Sequence, residues 1–516
     1  MSELLESYAA GSWFRAQDVG DPLLDAATGE EVARISATGL DLAAMAEHAR
    51  TAGGPAIRAL TFPQRAGLLK QLAAHLNEDK DELYALSART GATRRDSMVD
   101  IDGGIGTVFV YASKGAKELP NDTIVLDGPE EMLGKNGVFA GRHIFSSRPG
   151  VAVEINAFNF PVWGMLEKLA PAFLAGLPSI VKPASQTAYL TEAIVRRIIA
   201  SGILPEGSLQ LLCGSAGGLL DVLGEQDSVS FTGSAHTATV LRSNPAVQQR
   251  GVRLQVEADS LNCSILGPDV TPGSPEFDLF VKAVVTEMTV KAGQKCTAIR
   301  RTIVPAAAAD AVVEAIAAKL SKITVGNPNS ERVRMGALAS LAQRAEVRKS
   351  VEALRSSADV VFGSPDSVEV IDADPERGAF LSPILLRARP GAVEPHDVEA
   401  FGPVSTVLTY DSVADAVALA ARGKGSLAGS VVTADPATAR ELVRGLAPWH
   451  GRILVLDGVS APDNTGHGTP LPGLVHGGPG RAGGGEELGG IRGVLHHMQR
   501  SAIQGSPDML AAITRP

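Results

Sequence analysis

Cysteine is scarce in this sequence: 516 residues hold three, Cys213, Cys263 and Cys296. So few exclude a disulfide-stapled fold and fit a reducing cytoplasm. The ten histidines show no zinc-type ligand spacing, so no metal site is expected. No uninterrupted apolar stretch reaches membrane-spanning length. No basic run is long enough to track a phosphate backbone, and the formal net charge of −10 also points away from nucleic acid. Bases are missing from the opening MSELLESYAAGSW, which carries acids where a secretory or transit peptide needs Lys or Arg. A cytoplasmic protein without membrane or nucleic-acid partners is expected.

What is present is an ordinary globular composition, 45% hydrophobic and 20% charged, in a chain too long for one core. Strand-like and helix-like runs alternate from Val151 to Val256. The strands are Val151–Ile155, Ser179–Lys182, Leu209–Cys213, Ser228–Phe231 and Val252–Val256. Helices fall between them, the first from Pro161 to a stop at Gly176, and a short one over Ala216–Leu223. A second alternating block runs from Leu261 to about Leu456, with strands at Asn262–Leu266, Arg301–Val304, Ala428–Val432 and Arg452–Leu456. Its helices include Phe277–Ala292. The pattern predicts an α/β protein of two doubly wound parallel sheets, with ligands at the carboxyl ends of the strands. The region before residue 115 reads as mostly helical. Residues 466–493, GHGTPLPGLVHGGPGRAGGGEELGGIRG, are rich in glycine, yet their His, Arg and Glu content is unlike a plain flexible spacer.

Candidate chemistry gathers at strand and helix ends. Cys296 closes Gly293-Gln294-Lys295-Cys296 behind an apolar helix, where a thiol can be shifted toward thiolate. Asn159, in Asn159-Phe160-Pro161, sits at a helix start and can donate to a developing oxyanion; a plain N-cap would use the same residue. Lys182 and Ser185 end the second strand, where dinucleotide folds commonly place an acid on the ribose 2′-hydroxyl. The cation and the absence of a carboxylate before Glu192 favour NADP over NAD. Phe231-Thr232-Gly233-Ser234 opens a helix, with Gly233 allowing close approach and Ser234 capping, which suits a pyrophosphate. Glu257 ends the fifth strand as a candidate general base, and Asp259 is its rival.

In order along the chain these motifs, with Glu399-Ala400-Phe401-Gly402-Pro403-Val404, resemble the aldehyde dehydrogenase superfamily over essentially the whole sequence. The resemblance implies Cys296 as nucleophile, Glu257 as base and Asn159 as oxyanion donor. It places Lys182, Ser185, Phe158, Gly233, Ser234, Glu399 and Phe401 around the cofactor. It divides the chain into a dinucleotide-binding domain (1–127 and 148–257), a catalytic domain (258–465) and oligomerisation and C-terminal segments (128–147 and 466–516). A β-hairpin near 128–147 and a strand near 495–505 would then build a homodimer or an assembly of dimers.

Departures from the common pattern narrow the match. Ala258-Asp259-Ser260-Leu261 replaces Leu-Gly-Gly-Lys, Ser185 replaces a Glu, and Ala157-Phe158 replaces Pro-Trp. With VDIDGGIGT, MTVKAGQKCTAIRR and VHGGPGRAGGGEELGG, they are similar to one branch of the family. That branch holds the dehydrogenase half of the bacterial phenylacetate ring-opening protein and the dehydrogenase of the benzoyl-CoA epoxide pathway. YALSARTGATRRDS and YASKGAKELPNDT lean toward the phenylacetate member. The expected reaction is NADP-dependent oxidation of 3-oxo-5,6-dehydrosuberyl-CoA semialdehyde, with 3,4-dehydroadipyl-CoA semialdehyde or a general aldehyde as alternatives. Ring opening itself is not expected; a separate hot-dog-fold enoyl-CoA hydratase would supply it. A CoA-acylating dehydrogenase lacks the base that Glu257 offers, and a non-catalytic scaffold has no need of Cys296, Glu257 and Asn159 together. His476 and Arg481, in the glycine-rich stretch, stand as candidates for contact with CoA or a dimer partner; a loop packed by its own backbone is the other reading.

Overall fold

The computed structural model describes residues 3–514. Two seven-stranded sheets dominate it. In the first, Arg253–Ala258, Ser228–Gly233, Ala152–Ile155, Ser179–Lys182 and Leu209–Leu211 lie side by side and parallel. Helices Trp163–Ala175 and Ala188–Ser201 make the crossovers, each closed by a left-handed glycine, Gly176 and Gly202. The strands are short and apolar because both faces are covered. Val153, Ile180 and Val229 fill one face, while Val181, Leu209 and Leu211 join Leu166, Leu169 and Phe173 on the other.

The second sheet runs Ala358–Phe362, Ile384–Ala388, Val404–Tyr410, Arg301–Pro305, Cys263–Leu266, Ser426–Val432 and His450–Leu456. All but the first are parallel to their neighbours. A third, antiparallel sheet joins Ile124–Met132, Ala140–Ser146 and Gln499–Gly505. Its hairpin begins at Ile124, ahead of the residue 128 read from the sequence, and its last strand lies within the expected 495–505. No helix among the described residues is long and apolar enough to cross a membrane.

Several elements differ from the sequence reading. The N-terminal region opens with strands, and two of them, Ser7–Ala9 and Ser12–Phe14, extend the first sheet antiparallel. In the second sheet, Ile384–Ala388 and Val404–Tyr410 went unread. The two pair in parallel with only a single 3-10 turn, Glu394–His396, between them, so no helix announces a βαβ unit. The expected helix at Ala216–Leu223 shrinks to a turn at Leu220–Val222. The glycine-rich stretch is packed, with a small hairpin, Val475–Gly477 against Glu486–Leu488. At Gly483, where φ is +110°, a Cβ would run into the Val256 carbonyl oxygen, so glycine lets this loop lie directly on the Glu257 strand.

The helix before Cys296 also ends early, at Thr289. Lys291, Ala292 and Gly293 then all take positive φ, 53°, 51° and 66°. Lys291 and Ala292 are strained there, and only the surroundings hold them. The Lys291 N–H donates to Asp96 Oδ1 at 2.8 Å, and its ammonium donates to Thr90 Oγ1 at 2.6 Å. Gln294 Oε1 accepts from the Ala339 N–H at 2.9 Å. A Cβ on Gly293 would collide with the Gly402 carbonyl oxygen. Gly293→Ala is therefore expected to destabilise the protein by roughly 2–4 kcal/mol, adding a clash to an unfavourable φ. Chemical denaturation of both proteins checks this, with cofactor binding as a test that the neighbouring Phe401–Pro403 turn has moved.

Candidate active site

The carboxyl ends of the two sheets face each other, and the sequence-predicted residues meet between them. Cys296 is half-buried at the end of the kinked segment. The Asn262 side chain holds it there, donating to the carbonyls of Cys296 at 2.8 Å and Ala298 at 3.0 Å. Asn262 Oδ1 in turn accepts from Ser260 Oγ and the Ala428 N–H. All of the Asn262 amide is thereby engaged, which gives Ser260 and Asn262 of the unusual Ala-Asp-Ser-Leu-Asn run a structural task. Arg300 closes the loop from behind, donating to the carbonyls of Gly293, Lys295 and Gly402.

Asn159 is buried and donates from Nδ2 to the Gln294 carbonyl at 3.0 Å, which fixes the amide beside the cysteine loop. Its own turn is held by Asp100, whose carboxylate accepts from the N–H groups of Val162 and Trp163. Burial pushes the Asp100 carboxyl up to about 6, with those hydrogen bonds and Lys291 opposing. Asp96 and Asp100 of one helix, Arg94–Glu118, thus steady both the cysteine loop and the asparagine turn.

Glu257 lies directly beside Thr232 in the parallel register, buried at its strand end. Its Oε2 is 3.0 Å from His476 Nε2, and His476 Nε2 is 3.9 Å from Cys296 Sγ. Burial raises the Glu257 carboxyl, but the facing His476, assisted by Lys168, outweighs it and holds the group well below the usual carboxylate range. Burial lowers the His476 imidazole and Glu257 more than offsets this, so the net shift is upward. Burial and the Glu257 charge both push the Cys296 thiol up, keeping it protonated at rest. The rival acid, Asp259, is not at Cys296: it pairs with Arg481 Nε at 2.7 Å. Arg481 also donates to the carbonyls of His396 and Asp397, so it braces a strand end instead of reaching outward.

Two cavities open from Cys296. Ala157, Asn159, Thr232, Glu257 and Cys296 line both. The larger, about 560 Å³, runs along the first sheet and takes in Phe158, Lys182, Ser185, Gly233, Ser234, Glu399 and Phe401. The Lys182 ammonium is half-buried, has no ion-pair partner among the described residues, and is lowered by burial. Ser234 caps Ala235–Arg242, accepting from the Thr237 N–H. The rings of Phe158 and Phe401 meet edge to face at 5.8 Å. Burial, opposed by Arg300, raises Glu399 to about 8. The smaller cavity, about 210 Å³, is lined by Val99, Trp163, Val290 and Pro470, with Arg95 also on its wall.

Sequence reading missed a buried charge cluster behind Glu257. Lys168 lies 3.5 Å from Glu167 and 3.2 Å from Glu487, all three almost inaccessible. Burial raises Glu167 to about 7 and raises Glu487, with Lys168 opposing both. The signal was a Glu-Lys pair inside the apolar helix Trp163–Ala175, where charges need partners. His476, a candidate for contact with CoA or a dimer partner in the sequence, lies buried beside Glu257 and Cys296, partners far away along the chain.

Comparisons with known proteins give the family and the fold. A family model described as the aldehyde dehydrogenase family matches residues 13–491. The chain is 48% identical over 478 residues to a 3,4-dehydroadipyl-CoA semialdehyde dehydrogenase of Aromatoleum evansii, covering 92% of this chain and 93% of that one. It is 50% identical over 182 residues to the protein MaoC of Klebsiella aerogenes, covering 35% of this chain and 52% of that protein. In fold it is similar to a lactaldehyde dehydrogenase from Escherichia coli, with a TM-score of 0.84, 22% identity and coverage of 98% and 99%. A structure of PnpE with nicotinamide adenine dinucleotide gives 0.82 at 23% identity, covering 98% of each chain.

Lys168→Met removes the one cation between two buried carboxyl groups. A loss of roughly 3–5 kcal/mol is expected at pH 8. Glu167 has a raised folded-state pKa of about 7, so below that pH it is protonated and the missing cation matters less. The deficit should therefore shrink as pH falls from 8 to 6, and denaturant unfolding at both values measures it.

Proposed function

The chain belongs to the aldehyde dehydrogenase family, and on that premise we propose that it oxidises a CoA-linked semialdehyde of aromatic-ring breakdown to the acid, with NADP as oxidant. The observation that carries this reading is the meeting of two cavities at one thiol, with a carboxylate and a side-chain amide beside it. A chemistry needing a cofactor on one side of a covalent intermediate and an aldehyde on the other requires that arrangement.

The larger cavity fits a nicotinamide dinucleotide. Lys182 and Ser185 would hold the adenosine ribose and its 2′-phosphate, where an unpaired ammonium favours NADP over NAD. Gly233 and Ser234 at the helix start would face the pyrophosphate, Glu399 the nicotinamide ribose, and Phe158 and Phe401 the nicotinamide end. When bound, the cofactor supplies a hydride acceptor.

The residues of the chain do the rest. Cys296 Sγ attacks the aldehyde carbon, and the oxygen becomes an oxyanion. One Asn159 N–H is held by the Gln294 carbonyl, leaving the other, with the Cys296 backbone N–H, to receive that oxyanion. Loss of hydride leaves an acyl thioester on Cys296. Glu257, ionised across the neutral range, takes a proton from water as it attacks the thioester carbonyl; collapse releases the acid and the thiolate. The apolar wall of Val99, Trp163, Val290 and Pro470 would grip the acyl chain.

Between the two CoA substrates, the A. evansii relative, matching over 92% of this chain, supports 3,4-dehydroadipyl-CoA semialdehyde. The phenylacetate-type substrate, 3-oxo-5,6-dehydrosuberyl-CoA semialdehyde, rests on shorter stretches of resemblance. The third sheet leaves Leu126, Met132, Leu133, Val138 and Phe139 exposed around an unpaired edge, which supports a homo-oligomer joined there. The three free cysteines support a cytoplasmic setting, and a separate enoyl-CoA hydratase remains part of the proposal for the phenylacetate substrate.

NADP and NAD reduction with each CoA semialdehyde and with a free medium-chain aldehyde tests the reading. Cys296→Ala should abolish turnover. Glu257→Gln should slow steady turnover by roughly 10²–10⁴-fold, because hydrolysis loses its base. Turnover on free aldehydes alone would remove the CoA-linked substrate, and undiminished steady turnover by Glu257→Gln would remove Glu257 as base.

A further inference from the structure

His476 is carried on the hairpin strand Val475–Gly477, and nothing in the chemistry above uses it. It is 3% exposed, and its Nε2 stands 3.0 Å from Glu257 Oε2 and 3.9 Å from Cys296 Sγ. It also lines the smaller cavity. A ring nitrogen within reach of both a carboxylate and the reacting sulfur is placed to act on each. We propose that His476 is a further catalytic residue, whose imidazolium is the counter-cation shared by the Glu257 carboxylate and the Cys296 thiolate. This rests on the proposed role of Cys296 as nucleophile.

The need for such a cation follows from burial. A thiol beside a buried carboxylate cannot ionise cheaply, because two negative charges would then share one site. With His476 protonated, Nε2–H donates to Glu257 in the resting enzyme. When the Sγ proton passes to Glu257, one negative charge moves from carboxylate to sulfur. The imidazolium keeps its own proton and remains within reach of both atoms. No net charge is created, and the carboxyl group then gives up the proton to solvent water, becoming the base for hydrolysis.

Charged groups on every side bear on the ring. Glu257 faces it from one strand, Glu167 and Lys168 from the Trp163–Ala175 helix, Glu487 from the paired hairpin strand, and Arg452 from the strand His450–Leu456. The ring is placed by its hairpin, where His476 pairs with Glu487, and not by a flexible tether. The loop joining the two hairpin strands packs against the Glu257 strand, with the Gly485 N–H donating to the Val256 carbonyl, so ring and carboxylate are held in one frame.

The test is the rate at which iodoacetamide alkylates Cys296 in the full-length protein, without aldehyde, from pH 5.5 to 9.5. Cys296→Ala provides the blank, because Cys213 and Cys263 are buried. In the wild type the rate should follow two ionisations, since the sulfur feels the imidazolium as well as its own proton. His476→Gln keeps an N–H near Glu257 but no charge. Its alkylation should follow one ionisation, displaced upward by at least about one pH unit, with the rate at pH 7 falling at least tenfold. His476→Phe, which keeps the ring volume, should behave alike, and NADP binding in both variants should be unchanged. Coincident profiles for His476→Gln and wild type would overturn the proposal. A single ionisation in the wild type would overturn it even if neither variant folds. Cofactor reduction by Cys296→Ala would instead remove the nucleophile assignment, a separate outcome.

Discussion

The site depends on three consecutive residues, Lys291, Ala292 and Gly293, held in a left-handed conformation that two of them disfavour. Without that reversal the helix ending at Thr289 would carry Cys296 away from Glu257. The strain, on the order of 1–3 kcal/mol per residue, persists because the surroundings over-determine it. Asp96 takes the Lys291 N–H, Thr90 takes its ammonium, Arg300 gathers three carbonyls of the loop and its neighbour, and Asn262 fixes the carbonyl of Cys296 itself. These partners come from the starts of two strands of the second sheet, from the turn at Thr90 and from the helix Arg94–Glu118. The nucleophile is thus positioned from several elements, and small misfits in them reach it.

A second constraint is electrostatic. Cationic and acidic groups alternate behind the thiol: Glu257 and His476, then Lys168 between Glu167 and Glu487. Buried charges are tolerable only when paired, and here the Glu257–His476 and Lys168–Glu487 pairings both reach across to the late hairpin. The Glu167–Lys168 helix belongs to the first sheet, while His476 and Glu487 belong to the late hairpin. Folding therefore brings charge balance and site geometry together, and neither is complete without the hairpin.

The sequence made the parallel sheets legible because their strands are short apolar runs bounded by helices, and residues such as Gly176 and Gly202 mark where those helices stop. The motif residues fell on two joined cavities because each sits at a strand or helix end, a position that one-dimensional pattern reveals. Strands Ile384–Ala388 and Val404–Tyr410 escaped because the helix that usually separates parallel neighbours is absent. The N-terminal strands escaped because they are short and sit at a sheet edge, where alternation is weak. His476 escaped for a different reason. Its partners Cys296 and Glu257 lie 180 residues or more from its own position, and nothing in GLVHGGPG distinguishes an imidazole at a reacting thiol from a packed one.

That late position has a consequence during synthesis. Cys296 emerges from the ribosome well before His476 and Glu487, so a growing chain presents it as an ordinary thiol, without its proposed cation or its finished pocket. Only when the final hairpin docks on the Glu257 strand is the sulfur set among its charged neighbours. An unfinished or truncated chain lacks His476 and Glu487, and the charge balance around the sulfur is complete only in the full-length fold.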